Sequence, residues 1–156
     1  MSIFDKKQPE IDSSDYFARE ESLLAAVSAY SGRPLNDTLD NKLDEELKEA
    51  RGYAENGFVG YMDDSLASAK EYSAKLGRDI TSEISELEKL GYTNAIPVEM
   101  KIARESWEEA RAWEEYDYID DVIEKIKEYS AKSGKDVSAE IKELEHINLM
   151  FRRNII

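Results

Sequence analysis

The sequence predicts an all-α protein built from antiparallel helical hairpins, with about six helices, and three observations predict it. The stretch Glu71-Tyr72-Ser73-Ala74-Lys75-Leu76-Gly77-Arg78-Asp79 returns as Glu128-Tyr129-Ser130-Ala131-Lys132-Ser133-Gly134-Lys135-Asp136, at a constant offset of 57 residues. Apolar residues on both sides of this stretch step at i, i+3, i+4 and i+7, the spacing of one helical face. No alternating apolar and polar run of useful length competes with that period.

The repeated stretch reads as a joint between two helices. Glycine tolerates the left-handed backbone that closes a helix. An aspartate two residues later accepts hydrogen bonds from the free amides of the next helix, as an N-cap does. Before the joint, Tyr61, Met62, Ser65, Leu66, Ala69 and Tyr72 align with Tyr118, Ile119, Val122, Ile123, Ile126 and Tyr129. After it, Ile80, Ile84 and Leu87 align with Val137, Ile141 and Leu144. Agreement of this length, with shared periodicity, signals an internal repeat of 57 residues. A degraded copy lies upstream, where Leu24, Val27 and Tyr30 precede Gly32-Arg33-Pro34. The organisation expected is an N-terminal arm over 1–12 and one helical-repeat domain over 13–156. Its degenerate copy spans about 13–47, and the two clear copies span about 48–94 and 98–151.

Taken in order, Ser13-Ser14-Asp15 is a helix-start signal. The first helix runs to about Ser31, with Phe17, Leu24, Val27 and Tyr30 inward. After Gly32, Leu35, Leu39, Leu43, Leu47 and Ala50 step along a second helix. Asn56-Gly57-Phe58-Val59-Gly60 is the clearest loop in the chain. A helix from about Tyr61 to Leu76 follows, then one from Ile80 to about Leu90. Gly91 to Pro97 reads as a connector, because proline disfavours helix in the residue before it. From about Val98 to Glu115 the period places Ile102, Ser106, Ala110 and Trp113 on one stripe, with Trp107 beside it. Tyr116-Asp117 is a turn, and helices over about 118–133 and 137–151 close the chain.

Composition bounds the function. The chain carries 35 acidic and 21 basic residues in 156, a formal net charge of −14. The excess is spread along the helices, which disfavours direct binding to nucleic acid and favours basic partners or imitation of a polyanion. There is no cysteine, which removes disulfides, cysteine-ligated metals and thiol nucleophiles. No run approaches the roughly 20 apolar residues of a membrane span, and no apolar h-region follows the first residues, so the expectation is a cytoplasmic protein. With one histidine there is little material for a base-assisted nucleophile. Gly57 and Gly60 lack the lysine and hydroxyl residue of a phosphate loop.

Gly60-Tyr61-Met62-Asp63-Asp64-Ser65-Leu66 resembles the start of the second helix in tetratricopeptide repeats, and Tyr118-Ile119-Asp120-Asp121-Val122-Ile123 resembles it more loosely. The helices at about 36–56 and 98–115 would then be the first helices of two units. The offset of 57, the additional helix after each hairpin, and glycine where the family's closing proline stands are departures from that family. The resemblance implies a scaffold that binds peptides or protein surfaces without catalysis.

Three places carry chemistry worth weighing. Glu143-Leu144-Glu145-His146 has the Glu-x-x-His spacing of carboxylate-bridged metal bundles, which require a second such motif and two further glutamates. With a single histidine, a structural residue near a helix end is the plainer reading, and no metal or cofactor is expected. Trp113, Glu114, Glu115, Tyr116, Asp117, Asp120 and Asp121 form the densest acidic and aromatic cluster. It lacks the oxygen spacing and central glycine of a calcium loop. It suits recognition of a protein or basic peptide, in which tyrosines supply contact area and carboxylates steer cations. The plainer alternative is a charged turn whose tyrosines cap the core. Phe151, Arg152, Arg153, Ile155 and Ile156 form an apolar, basic tail that docks on its own chain or on a second copy in a homodimer. The function expected is therefore a non-catalytic interaction scaffold. A nucleic-acid-mimic decoy that binds a basic protein is the alternative, and a carboxylate-metal enzyme ranks last.

Overall fold

A computed structural model describes residues 19–20, 22–26 and 35–153, and every described element is helical. Five helices have described bounds: α1 (Leu35–Glu55), α2 (Val59–Leu76), α3 (Thr81–Ala112), α4 (Tyr118–Ser133) and α5 (Ser138–Arg153). Residues 19–20 and 22–26 are also helical, and Leu24 packs with Leu39, Leu43, Ala69, Tyr72 and Ile80 in a small end core. The expected arm over 1–12, and the inward placement of Phe17, Val27 and Tyr30, lie outside the described residues. So does the Gly32 joint.

The repeated joints adopt one local structure. Gly77 and Gly134 sit at φ 66° and 76°, and their amides bond the Ser73 and Ser130 carbonyls. The Ser73 hydroxyl donates to the Arg78 carbonyl, and the Ser130 hydroxyl donates to the Lys135 carbonyl. Asp79 accepts from the Thr81 amide (2.9 Å) and hydroxyl (2.6 Å). Asp136 accepts from the Ser138 amide (3.0 Å) and hydroxyl (2.6 Å). Each aspartate, expected as the N-cap, stands one residue further upstream, and buried Ile80 and Val137 occupy the positions just before the helices. These bonds hold both carboxyl groups below the usual aspartate range.

Short joints force neighbouring helices antiparallel. The hairpins α1–α2 and α3–α4 are the most extensive pairings, and α5 packs on both α4 and α3. The main core gathers Met62, Leu66, Leu87, Ile96, Met100, Ile119, Ile126, Leu144 and Phe151.

One expected connector is overturned. Gly91 to Pro97 lies inside α3, which runs unbroken for 32 residues, about 48 Å. Gly91 is buried against α1 and α2: a Cβ there would collide with the Met62 sulfur, with the Ala54 Cα 3.5 Å away. The glycine serves close helix packing rather than a turn. Pro97 deprives the Thr93 carbonyl of its helical amide, a disturbance of about 3 kcal/mol. Burial of Tyr92, Ile96 and Met100, about 1.5–3 kcal/mol each, outweighs it and keeps the helix continuous. The Asn94 side chain secures the crossing by donating to the Ala54 carbonyl at 3.0 Å. The N-terminal half of α3 thereby serves the first hairpin while its C-terminal half begins the second.

A second correction concerns the face of α3. The core stripe is Ile96, Met100, Ala103 and Ala110, with Trp107 packed at its edge. Ile102 and Trp113, members of the expected stripe, are 45 % and 73 % exposed. Of the expected stripe, only Ala110 is buried, and Ser106 is partly so.

Candidate functional site

The turn after α3 is fixed by backbone bonds of the Schellman type. The Glu115 amide bonds the Ala110 carbonyl (2.9 Å) and the Glu114 amide bonds the Arg111 carbonyl (3.0 Å). Glu114 takes the left-handed position at φ 59°, alone among the described non-glycine residues. The turn after α1 has the same bonds: the Phe58 amide to Tyr53 (2.9 Å) and the Gly57 amide to Ala54 (3.1 Å), with Gly57 at φ 71°. The 57-residue offset carries Gly57 onto Glu114. A glutamate therefore holds a conformation that a glycine adopts freely, at about 1–2 kcal/mol.

That turn presents Trp113 and exposed Tyr116 to solvent, with exposed Glu114, Glu115 and Asp117 around them. None of those three carboxylates makes an ion pair among the described residues, and exposed Asp121 is likewise unpaired there. Asp120 is different. It pairs with Arg152 and accepts from the Asn148 amide group at 2.9 Å, so it ties α4 to α5. Phe151 is fully buried in the main core, and Arg153 is exposed. Ile155 and Ile156 lie outside the described residues. The seven cluster residues thus divide into an exposed turn, an exposed Asp121 and a structural Asp120.

Sequence reasoning missed the apolar lining that continues from this turn. A cleft of about 290 Å³ runs beside Ser106, Glu109, Ala110, Trp113, Glu115 and Tyr118. One turn back along α3, a cleft of about 630 Å³ is lined by Phe58, Tyr61, Asp64, Val98, Glu99, Ile102 and Tyr129, among others. Phe58 and Tyr61 are 49 % and 63 % exposed, and Tyr61 stacks on Tyr53 at 5.3 Å. Burial, then the Glu99 carboxylate, pushes the Tyr129 hydroxyl up to about 12. Burial also raises Tyr118, with Glu99 contributing, although Tyr118 shares a hydrogen bond with Ser106. Lys125 lies 3.7 Å from Glu99. The signal in the sequence was a helix with two apolar stripes, Ile96–Met100–Ala103 and Val98–Ile102–Trp113. Periodicity alone does not say which is covered.

Elsewhere, Lys132 donates to the Tyr92 hydroxyl (3.2 Å), which donates to Asp63 (2.8 Å). This chain crosses from α4 through α3 to α2. Glu143 is gripped by Arg104 through two bonds of 2.5 and 2.7 Å, which hold its carboxyl below the usual range. His146 is exposed, and no three candidate metal ligands lie together among the described residues. No described helix is long and apolar enough to cross a membrane. Comparisons with protein-family models, curated proteins and solved structures each return no match.

Proposed function

We propose that this chain is a non-catalytic interaction scaffold that presents an acidic, aromatic-bearing surface to another protein or a basic peptide. Trp113 carries the reading: a tryptophan 73 % exposed, beside Tyr116, on a turn held by a strained Glu114. Large aromatics of this kind act as anchors at interfaces, and backbone strain concentrates at functional positions. The matching joints at Gly77 and Gly134, and the matching turns at Gly57 and Glu114, support reading the chain as two copies of one helical unit. On the tetratricopeptide-like reading, α1–α2 and the C-terminal half of α3 with α4 are its two hairpins.

The decoy reading stands second. Imitating a phosphate backbone needs rows of free carboxylates. Here Asp40 and Asp44 pair with Arg78, Glu86 with Arg51, Glu143 with Arg104 and Asp120 with Arg152, scattered over several helices.

Affinity capture from native extract, with wild type and a W113A/Y116A variant in parallel, tests the proposal. A specific protein retained by wild type at moderate salt and lost by the variant is expected. Capture unaffected by the variant, or a mixture of nucleic-acid-binding proteins lost as salt rises, would refute it.

A further inference from the structure

We propose that the outer face of α3, from Val98 to Trp113, is a docking groove for a cationic amphipathic helix of about four turns. The proposal deepens the scaffold reading and rests on it for the premise that this surface binds protein. Val98, Ile102, Ser106, Glu109 and Trp113 recur at three- and four-residue steps, so they form one ridge of the helix. Fifteen steps from Val98 to Trp113 span about 22 Å, the length of a helix of some 15 residues. α4 walls the groove on one side through Tyr118 and Tyr129, and the Phe58–Tyr61 corner closes one end. Exposed Ile102, one turn from Val98, and exposed Trp113 at the far end supply apolar anchors for a helix laid along it.

Charge identifies the occupant. The charged residues lining the two clefts are Asp64, Glu99, Glu109 and Glu115, all carboxylates, with no lysine or arginine among the lining residues. Two further clefts, one between α2 and α3 and one beside Tyr92, both include Lys70. Asp64, Glu109 and Glu115 make no ion pair among the described residues, and Glu99 has only Lys125 at 3.7 Å. A partner with lysines or arginines flanking an apolar stripe satisfies these carboxylates while it covers Ile102 and Trp113. A second copy of this chain, itself at −14, brings mainly like charge to the same rim.

The test uses the full chain, isotopically labelled, titrated with a roughly 16-residue leucine–lysine amphipathic peptide and followed by amide shifts. The control peptide keeps the leucines and replaces every lysine with glutamate. Expected are shifts along residues 98–113 and at the Phe58–Asp64 corner, with no binding of the control. Two variants report separately. D64N/E109Q/E115Q removes three exposed charges and is expected to weaken the lysine peptide about tenfold. I102D alters a surface position, leaves the helical circular dichroism unchanged and is expected to weaken binding by tenfold or more. Equal binding of the control, shifts confined to other surfaces, absence of binding, or insensitivity to I102D would each overturn the groove. So would a peptide that binds only after removal of residues 1–12, since the occupant would then be the chain's own arm. A failed groove combined with a captured partner sensitive to W113A/Y116A leaves the scaffold reading in place. Failure of that capture removes the scaffold reading itself.

Discussion

Replacing Gly57 with alanine separates two roles that glycine plays in this chain. Gly57, Gly77 and Gly134 share nearly the same backbone, with φ of 71°, 66° and 76°. Alanine at any of them incurs the left-handed penalty of about 1–2 kcal/mol. Their surroundings differ. A Cβ at Gly77 or Gly134 meets nothing within 4 Å. A Cβ at Gly57 would lie 2.6 Å from the Asn94 carbonyl oxygen, 2.8 Å from its carbon and 2.9 Å from the Ala95 Cα. These are backbone atoms in the middle of α3, and no side-chain rotation relieves the overlap. Moving the α1–α2 turn away would stretch the 3.0 Å bond from Asn94 to the Ala54 carbonyl. Overpacking of this kind adds about 1–3 kcal/mol. The expected cost is therefore about 2–5 kcal/mol for G57A against about 1–2 kcal/mol for G77A and G134A. Urea unfolding of the three variants measures it, through midpoints compared at a common slope. If G57A costs no more than G77A, the close approach of this turn to α3 is refuted.

Glu114→Gly is expected to stabilise the chain by about 1 kcal/mol, raising Tm by roughly 2–4 °C, because glycine removes the left-handed strain; an unchanged or lower Tm would show that no strain is held there. Phe151→Ala is expected to cost about 3–5 kcal/mol in urea unfolding, as a buried phenyl ring leaves a cavity. A cost below about 1 kcal/mol would remove Phe151 from the core. Tyr129, raised to about 12, keeps its proton in the folded state while unfolded tyrosines ionise from about pH 10. The folded state then binds the extra proton, so its contribution is complete below pH 10 and is lost as pH rises through about 12. The loss is on the order of 2 kcal/mol, read from urea midpoints against pH, and Tyr129→Phe should flatten that limb.

Where the sequence spoke through local chemistry, it was legible. The joints at Gly77 and Gly134, the start of α4 at Tyr118 and a turn at Tyr116-Asp117 all follow from rules acting within a few residues, although α3 ends at Ala112, earlier than the expected Glu115. Left-handed glycine, an aspartate ahead of a helix and a 3.6-residue period carry that information along the chain itself. These rules determined an all-helical chain and the antiparallel sense of its hairpins.

Tertiary structure decided the rest. Gly91 and Pro97 carry the local marks of a break, yet Gly91 admits the close approach of Met62 and Ala54, and buried Tyr92, Ile96 and Met100 hold α3 continuous around the proline. Two apolar stripes on α3 look alike in sequence, and only the positions of α1, α2 and α4 determine that Met100 is covered while Ile102 is bare. Asp120 belongs to the acidic cluster in sequence, but Arg152 and Asn148 reach it from α5 and make it a structural tie. For Gly91 and for Asp120 the deciding partner lies 28 residues or more away along the chain, and for Met100 it lies on other helices, all beyond the reach of helix periodicity and capping, which register only neighbours within a few turns.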